Sequence, residues 1–193
     1  QRIAVFNHDD AIIFDNGKTR VVMGLCDKAV VAVKRTIKPP AGAALSKALR
    51  EAETLQDLQH PCIVKCRGHA MNNSFIYVAL EPFVSLQPVQ KAKSLTLRHF
   101  VQQTQKRERG ALGPSDKRSI LHQITRGLGF LHEERLDTDR SLGTLLHRDI
   151  KPMNVLVRRD GGGRFIAKIS DLGLVTEVDG SSSGGGAAAA STR

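Results

Sequence analysis

The sequence has few of the side chains that build stacking platforms or metal clusters. It contains no tryptophan, one tyrosine and seven phenylalanines, so aromatic residues make up 4% of its 193 residues. A chain of this kind offers no row of rings on which single-stranded nucleic acid could stack. Its three cysteines, Cys26, Cys62 and Cys66, lack the second ligand pair that a zinc site needs, and they suit buried thiols in a reducing compartment. The composition therefore argues against a strand-binding platform and against a zinc module.

Long apolar segments are missing as well. The chain has no run of the roughly 18 apolar residues that a transmembrane helix needs, and its first residues do not form a signal peptide. We therefore expect no membrane segment in this chain and a cytoplasmic location. The 29 basic and 19 acidic side chains give a net charge of +10. That charge is compatible with phosphorylated, acidic or nucleic-acid partners, and equally with an uneven share of charge on one part of a larger domain.

The hydrophobic pattern predicts strands first and helices later. Strand-like runs lie at residues 3–14 (strand, turn, strand), 19–24, 29–34, 63–68 and 75–80. A helix is predicted over residues 43–59, where apolar side chains recur every three or four positions, and another over 95–105. A third helix is predicted from Pro114 onward, with one face shared by Ile120, Ile124, Leu128 and Leu131. A hairpin follows around the turn at 160–163. This order predicts an α+β fold, with a five-stranded small lobe that includes one helix and the first part of a helical large lobe.

Residues 146–157 and 170–173 carry the strongest chemical signal. Asp149 stands two residues before Lys151 and five before Asn154, and Asp171 follows downstream. Phosphoryl transfer needs one carboxylate to orient the attacking hydroxyl, and a second carboxylate with an amide to hold magnesium against the phosphates. These segments resemble the catalytic loop and the metal-binding motif of protein kinases. The alternative is a charged helix end followed by a hairpin.

The resemblance implies a role for each of these residues. Asp149 would accept or orient the proton of the substrate hydroxyl, and Lys151 would neutralise charge on the transferring phosphoryl group. Asn154 and Asp171 would bind Mg²⁺. A lysine two residues after the catalytic aspartate is typical of serine/threonine kinases.

Two upstream residues complete the predicted phosphate site. Lys34 ends a strand, and the kinase resemblance implies that it contacts the α- and β-phosphates of ATP and pairs with a glutamate of the following helix. Glu51 and Glu53 compete for that pairing, because residues two apart on a helix point about 200° apart. Glu51 lies on the same side as Leu55 and is favoured.

The segment 75–83 resembles the strand that leads into the hinge between kinase lobes. Adenine would bond to backbone groups near Glu81 and Phe83, with Leu80 at the back of the pocket. Ala32 and Leu156 would lie on the two faces of the base. A buried strand that leads into a loop is equally compatible with this segment.

The glycine-rich loop that covers the phosphates in kinases is reduced here. Kinases use G-x-G-x-x-G because side chains at those positions obstruct the approach of the backbone. The corresponding segment, residues 13–19, contains one glycine, Gly17, which fits the third glycine of the motif. Asp15 takes the place of the second glycine and would set a negative charge near the phosphates. We therefore expect weaker nucleotide binding than the full motif gives.

Further motifs place the chain near one branch of the kinases. The chain resembles the inositol-requiring endoplasmic-reticulum stress sensors, whose cytosolic part joins a kinase to an endoribonuclease. The likeness covers about residues 3–175 and includes Phe6 with Asp10, the segments 31–35, 77–81 and 127–132, and the 22-residue spacing from Asp149 to Asp171. It implies Mg²⁺ and ATP as cofactors, autophosphorylation on serine or threonine in trans, a homodimer, and a place on the cytosolic face of the endoplasmic-reticulum membrane for the whole protein.

These observations define three domains and three functional hypotheses. Residues 1–83 are predicted as the small lobe up to the hinge, 84–178 as a partial large lobe, and 179–193 as a disordered tail rich in serine, glycine and alanine. We expect the chain to be a truncated kinase domain. The first hypothesis is a serine/threonine protein kinase, and the second is a pseudokinase that senses nucleotide without transferring phosphate. The third is a basic RNA-interacting domain, although no nucleic-acid site can be argued from these residues.

Overall fold

The computed structural model describes residues 2–6, 9–83, 96–106, 111–133, 135–136, 141–142, 144–172 and 176–178. The strands are β1 (Ile3–Val5), β2 (Ile12–Asp15), β3 (Thr19–Cys26), β4 (Ala29–Ile37), β5 (Cys66–Met71), β6 (Phe75–Leu80), β7 (Arg135–Leu136), β8 (Ser141–Leu142), β9 (Thr144–Leu146), β10 (Val155–Arg159), β11 (Phe165–Ile169) and β12 (Thr176–Val178). The helices are α1 (Ala43–Asp57), α2 (Leu97–Gln105) and α3 (Pro114–His132), and a short 3₁₀ turn covers Asp9–Ala11. No described helix has the length and apolar character needed to cross a membrane.

One antiparallel sheet of six strands forms the small lobe in the described part of the chain, one strand more than the five predicted. Its strand order is β1-β3-β4-β6-β5, and β2 pairs with the part of β3 that β1 leaves open. Asp27 and Lys28 connect β3 to β4 with φ values of 47° and 70°. Two consecutive left-handed residues form the turn type that matches the twist of a hairpin. β3 therefore continues to Cys26, two residues beyond the strand predicted from the sequence.

The strand predicted at residues 63–68 is wrong in its bounds. Ile63 and Val64 are buried, and they associate with the large lobe instead of beginning the strand. The amide of Val64 donates to the carbonyl of Ile169 (2.9 Å), and the amide of Ile169 donates to the carbonyl of Cys62 (2.8 Å). β5 begins only at Cys66. This apolar run therefore contacts the large lobe through β11.

Helix α3 supports the large lobe. Of the four side chains predicted to share one face, Ile120 and Leu131 are buried, while Ile124 and Leu128 are half-buried and pack against the core. A Cβ atom added to Gly127 would lie 2.9 Å from the Cδ1 atom of Ile169. The absence of a side chain at this position thus lets α3 approach β11 closely.

A shared core joins the two lobes. Leu58, which follows α1, packs in one cluster with Ile63, Ile169 and Leu172. Leu172, directly after Asp171, is 4% exposed in this cluster. The predicted α+β fold, with a strand-rich small lobe that includes one helix, is confirmed. The domain bounds at 83 and 178 stay predictions, and the tail at 179–193 lies outside the described residues.

Candidate active site

A cavity of about 440 Å³ lies between the small-lobe sheet and the β10–β11 hairpin. Its lining includes every residue predicted to contact nucleotide except Gly17: Ala32, Lys34, Leu80, Glu81, Phe83, Asn154, Leu156 and Asp171. A second, smaller cavity of about 230 Å³ lies behind Lys34, against α1. The fold thus brings together residues that the sequence separates by up to 139 positions, from Ala32 to Asp171.

Strand register explains the small-lobe side of this cavity. Side chains alternate between the faces of a strand, so Ala32 and Lys34 of β4 share one face, while Val31 and Val33 are fully buried on the other. Ala32 lies opposite Leu80 of β6 in the ladder. The same alternation therefore delivers the lysine and the residue at the back of the pocket to one cavity.

Lys34 bridges the two lobes by contacting Asp171. Its Nζ atom lies 2.5 Å from Oδ1 of Asp171, and the side chains are 28% and 46% exposed. Asp171 has a φ of 60°, a left-handed conformation that non-glycine residues rarely adopt. Glu51 lies in α1 as predicted, but its side chain is outside what the structure describes, so its pairing with Lys34 stays a prediction. Its rival Glu53 is exposed.

Asp149 sits in a network of hydrogen bonds beside the cavity. Its Oδ2 atom accepts from Nζ of Lys151 (2.6 Å) and from Nδ2 of Asn154 (2.9 Å), and its backbone carbonyl also accepts from Asn154 (2.9 Å). The hydrogen bond from Lys151, supported by that from Asn154, holds the pKa of Asp149 below its ordinary value of 3.8. Asp149 is therefore ionised at neutral pH. Asp149 and Lys151 do not line the cavity themselves but adjoin Asn154, which does.

Buried polar groups brace this loop from below. His147 is 2% exposed; its Nδ1 atom accepts from the amide of Asp149 (3.2 Å), and its Nε2 atom lies 3.1 Å from the carbonyl oxygen of Ser170. Because Nδ1 accepts, the proton of the neutral ring is on Nε2, which donates to Ser170. The carbonyl of Asn154 accepts from the amide (2.8 Å) and hydroxyl (3.1 Å) of Ser170. These bonds fix residues 147–154, the predicted catalytic loop, to the residue that precedes Asp171.

The predicted magnesium ligands suit a hard cation. Asn154 and Asp171 both line the cavity, and Asn154 uses its Nδ2 group on Asp149, which leaves its amide oxygen for other partners. Mg²⁺ takes oxygen ligands and is commonly held by one or two protein groups together with waters and phosphates. Within the described residues no cluster of three or more His, Cys, Asp or Glu is present. The fit therefore rests on this amide–carboxylate pair.

The β2–β3 turn differs from the rest of the predicted site. Gly17, at φ 81°, is not among the cavity-lining residues. Its amide donates to Oδ1 of Asp15 (2.9 Å), and Oδ1 of Asn16 accepts from the amides of Lys18 (3.1 Å) and Thr19 (2.8 Å).

The charge of Asp15 is balanced within this turn. Oδ2 of Asp15 lies 2.5 Å from a guanidinium nitrogen of Arg20, and the carboxylate is not part of the cavity lining. The bond from the Gly17 amide, followed by that from Arg20, lowers the pKa of Asp15. The pairing with Arg20 was not foreseen from the sequence.

Eight lining residues were not predicted from the sequence as site residues, namely Ile13, Phe14, Thr19, Val21, Val64, Thr96, Met153 and Ser170. Val21 could have been found from strand alternation, because it lies opposite Lys34 in the ladder. Thr96 forms an isolated bridge with Leu156, a contact between residues 60 positions apart that has no local signal.

Known proteins match both the sequence and the fold. A family model described as the protein kinase domain matches residues 15–192. The chain is 30% identical over 169 residues to the serine/threonine-protein kinase/endoribonuclease IRE1 of Hypocrea jecorina (strain QM6a), which is 86% of this chain and 12% of that relative. The chain thus spans about an eighth of the length of this relative. A crystal structure of Rad53 1-466 in complex with AMP-PNP has a similar fold, with a TM-score of 0.63, 25% identity, and coverage of 89% of this chain and 38% of that one.

These matches agree with the resemblance drawn from the sequence motifs, including the stress-sensor branch. The family model covers more than half of the chain, and the catalytic-loop residues lie inside the matched range. The chain belongs to the protein kinase domain family.

Proposed function

We propose that this domain transfers the γ-phosphoryl group of ATP to serine or threonine hydroxyls of proteins. The observation that carries the proposal is that Lys34, Asn154 and Asp171 line one cavity, with Asp149 hydrogen-bonded to Asn154 at its edge. The name of the IRE1 relative and the AMP-PNP of the solved Rad53 complex support a serine/threonine kinase that binds adenine nucleotide.

Each wall of the cavity takes one part of the nucleotide. The base lies between Ala32 and Leu156 and bonds to the backbone at Glu81 and Phe83. Lys34 contacts the α- and β-phosphates. Asn154 and Asp171 hold Mg²⁺, which supplies positive charge against the phosphate oxygens when it is bound.

The catalytic loop handles the proton and the developing charge. The substrate hydroxyl oxygen forms a bond to the γ-phosphorus, the bond from that phosphorus to the β–γ bridging oxygen breaks, and ADP leaves. Asp149 orients the hydroxyl and takes its proton, which its ionised state at neutral pH permits. Lys151, 2.6 Å from Asp149, places a positive charge beside the transferring group.

The wider role follows from the similarity to the stress-sensor kinase. We propose autophosphorylation in trans within a homodimer, in an unfolded-protein-response sensor whose kinase domain faces the cytosol at the endoplasmic-reticulum membrane. These are proposals for the whole protein, since the chain spans 12% of its IRE1 relative.

A labelled-phosphate assay tests the proposal. The full-length protein should incorporate label from γ-labelled ATP in a Mg²⁺-dependent manner, and Asp149→Asn should reduce incorporation by about 10²- to 10⁴-fold, the usual effect of a general base. Wild-type protein that binds nucleotide but incorporates no more phosphate than Asp149→Asn would exclude transfer.

That second result would favour the pseudokinase hypothesis, which one observation supports. The amides of Gly17, Lys18 and Thr19 are bonded to side chains of their own turn and are not free to bind phosphate. No site within the described residues favours the third hypothesis, a basic RNA-interacting domain.

A further inference from the structure

The carboxylate of Glu81 connects three segments where the small lobe ends. Its Oε1 atom accepts from the ammonium group of Lys168 in β11 and from the backbone amide of Lys65 (2.7 Å). The amide of Glu81 donates in return to the carbonyl of Lys65 (2.9 Å). Glu81 therefore ties the hinge to the segment before β5 and to the large lobe.

This ion pair is more enclosed than the others in the described part of the chain. The side chains of Lys168 and Glu81 are 15% and 20% exposed, whereas Arg164 in the pair with Asp160 on the same hairpin is 86% exposed. Salt screens enclosed pairs less than exposed ones, and a charged hydrogen bond with little water access is harder to replace. The Glu81–Lys168 pair is thus a candidate for a positional role that the Asp160–Arg164 pair cannot have.

The neighbouring hinge residue is held by cations of the same hairpin. Phe83 is 3% exposed and lines the cavity. The guanidinium carbon of Arg158 lies 5.1 Å from the centre of its ring, and the Lys168 ammonium nitrogen lies 5.8 Å away. Cations within about 6 Å of an aromatic face are attracted to it. Both hinge residues predicted to meet the base are therefore held by β10 and β11.

Strand β11, which contacts the hinge through Lys168, also leads to Asp171, the carboxylate proposed to bind Mg²⁺. Lys168 precedes Asp171 by three residues, and Ile169 between them is bonded to the backbone of Cys62 and Val64. A change in the position of Lys168 would therefore move the hinge relative to Asp171.

We propose that Glu81 and Lys168 form an interlobe latch, a positioning pair that holds the hinge backbone at the distance from β11 that the purine base requires. The inference rests on the proposed function, because it assigns the pair to nucleotide binding. The latch acts on the purine and not on the phosphates. Loss of the latch should therefore reduce the affinity for adenosine and the affinity for ADP by the same factor.

Calorimetric titration of the full-length protein with adenosine and with Mg²⁺-ADP tests the latch. Lys168→Met should weaken both ligands by about tenfold, the order expected for a lost charged hydrogen bond, and Lys168→Arg should restore most of the affinity. Glu81→Gln keeps the acceptor for the Lys65 amide but loses the charge, and should also reduce the affinity for both ligands. This variant tests the latch if Lys168→Met does not fold. Arg164→Met, which removes the exposed pair on the same hairpin, should leave both affinities unchanged.

The outcomes separate the latch from the proposed function. A lower melting temperature with adenosine affinity within twofold of wild type would make the pair a structural staple and overturn the latch. A loss confined to Mg²⁺-ADP would overturn it as well, because the defect would then lie at the phosphates. Wild-type protein that binds neither ligand would overturn the proposed function itself, and the latch with it.

Discussion

The two sides of the cavity that face the proposed phosphate site are built in different ways. We call residues 147–154 together with Ser170 and Asp171 the floor, and the β2–β3 turn at residues 15–19 the roof. On the floor, His147 and Asn154 are 2% and 5% exposed, and both are hydrogen-bonded to Asp149 within their loop and to Ser170 at the far end of the β10–β11 hairpin. On the roof, residues 15–18 are exposed and the turn is held by bonds among its own members. The groups proposed for catalysis are thus fixed by the core, while the loop that would cover the phosphates is held by bonds among the exposed or half-buried residues 15–20. We therefore expect the binding of the phosphates to depend chiefly on the floor.

The largest expected effect comes from neutralising the floor at Asp171. Asp171→Asn removes a negative charge from the proposed magnesium site and from its 2.5 Å contact with Lys34. We expect phosphate incorporation to fall by about 10²- to 10³-fold, as when one electrostatic contributor is lost from an active site. We also expect Mg²⁺ to stop tightening nucleotide binding, measured by titration with and without the metal.

Asp160→Asn is the matched control for this change. Asp160 is also a carboxylate with a lowered pKa, caused first by the amide of Arg164, but it lies in the hairpin turn outside the cavity lining. If Asp160→Asn and Asp171→Asn reduce phosphate incorporation equally, Asp171 has no specific role in the proposed magnesium site.

One methyl group added at Gly127, where α3 packs against β11, should destabilise the protein. In Gly127→Ala, the new Cβ would lie 2.9 Å from Cδ1 of Ile169 and 3.1 Å from the backbone oxygen of Cys62. Overpacking of this kind costs about 1–3 kcal/mol of unfolding free energy. Gly129→Ala on the same helix has no neighbour within 4 Å and should stabilise the protein by up to about 1 kcal/mol through helix propensity. Urea unfolding measures the free energy of unfolding of the two variants. Changes of the same sign in Gly127→Ala and Gly129→Ala would contradict the prediction.

Opening the roof turn should have a smaller effect of opposite sign on binding. The double change Asp15→Gly and Asn16→Gly frees the amides that these side chains now occupy. We expect ATP to bind about threefold tighter, since each new hydrogen bond contributes modestly after the exchange with water. Nucleotide titration measures the change.

Asn72→Gly is a suitable control for the double change. Asn72 makes the same kind of bonds to Ser74 and Phe75 in the β5–β6 turn and does not line the cavity. Unchanged or weaker ATP binding in the double variant would show that the turn amides do not limit affinity.

The sequence predicted the parts of the site that local patterns determine. Alternation along β4 fixes the shared face of Ala32 and Lys34, and short spacing joins Asp149 to Asn154 within one loop. Helical periodicity likewise identified the buried face of α3. Contacts between distant segments left no such pattern. The partner of Glu81 is 87 residues away, and the apolar run at Ile63 is indistinguishable from a strand until β11 is seen to bind it.

The smallest expected effect concerns the pH dependence of stability at the roof. The folded-state pKa of Asp15 lies below the ordinary value of 3.8. The stabilisation by its ionised form is therefore complete above about pH 5 and is lost as the pH falls through the lowered pKa. The difference in unfolding free energy between wild type and Asp15→Asn should accordingly be constant from about pH 5 to 8 and shrink toward pH 3.

Salt and nucleotide sharpen this test. Because the Asp15 and Arg20 side chains are 32% and 40% exposed, salt should reduce the difference between the two proteins. Nucleotide affinity should stay unchanged at neutral pH, because the asparagine oxygen can still accept from Gly17 and keep the turn closed. A marked gain or loss of affinity from this single charge would instead place Asp15 close to the phosphates. The roof would then act on the nucleotide directly, and the contrast with the floor would no longer hold.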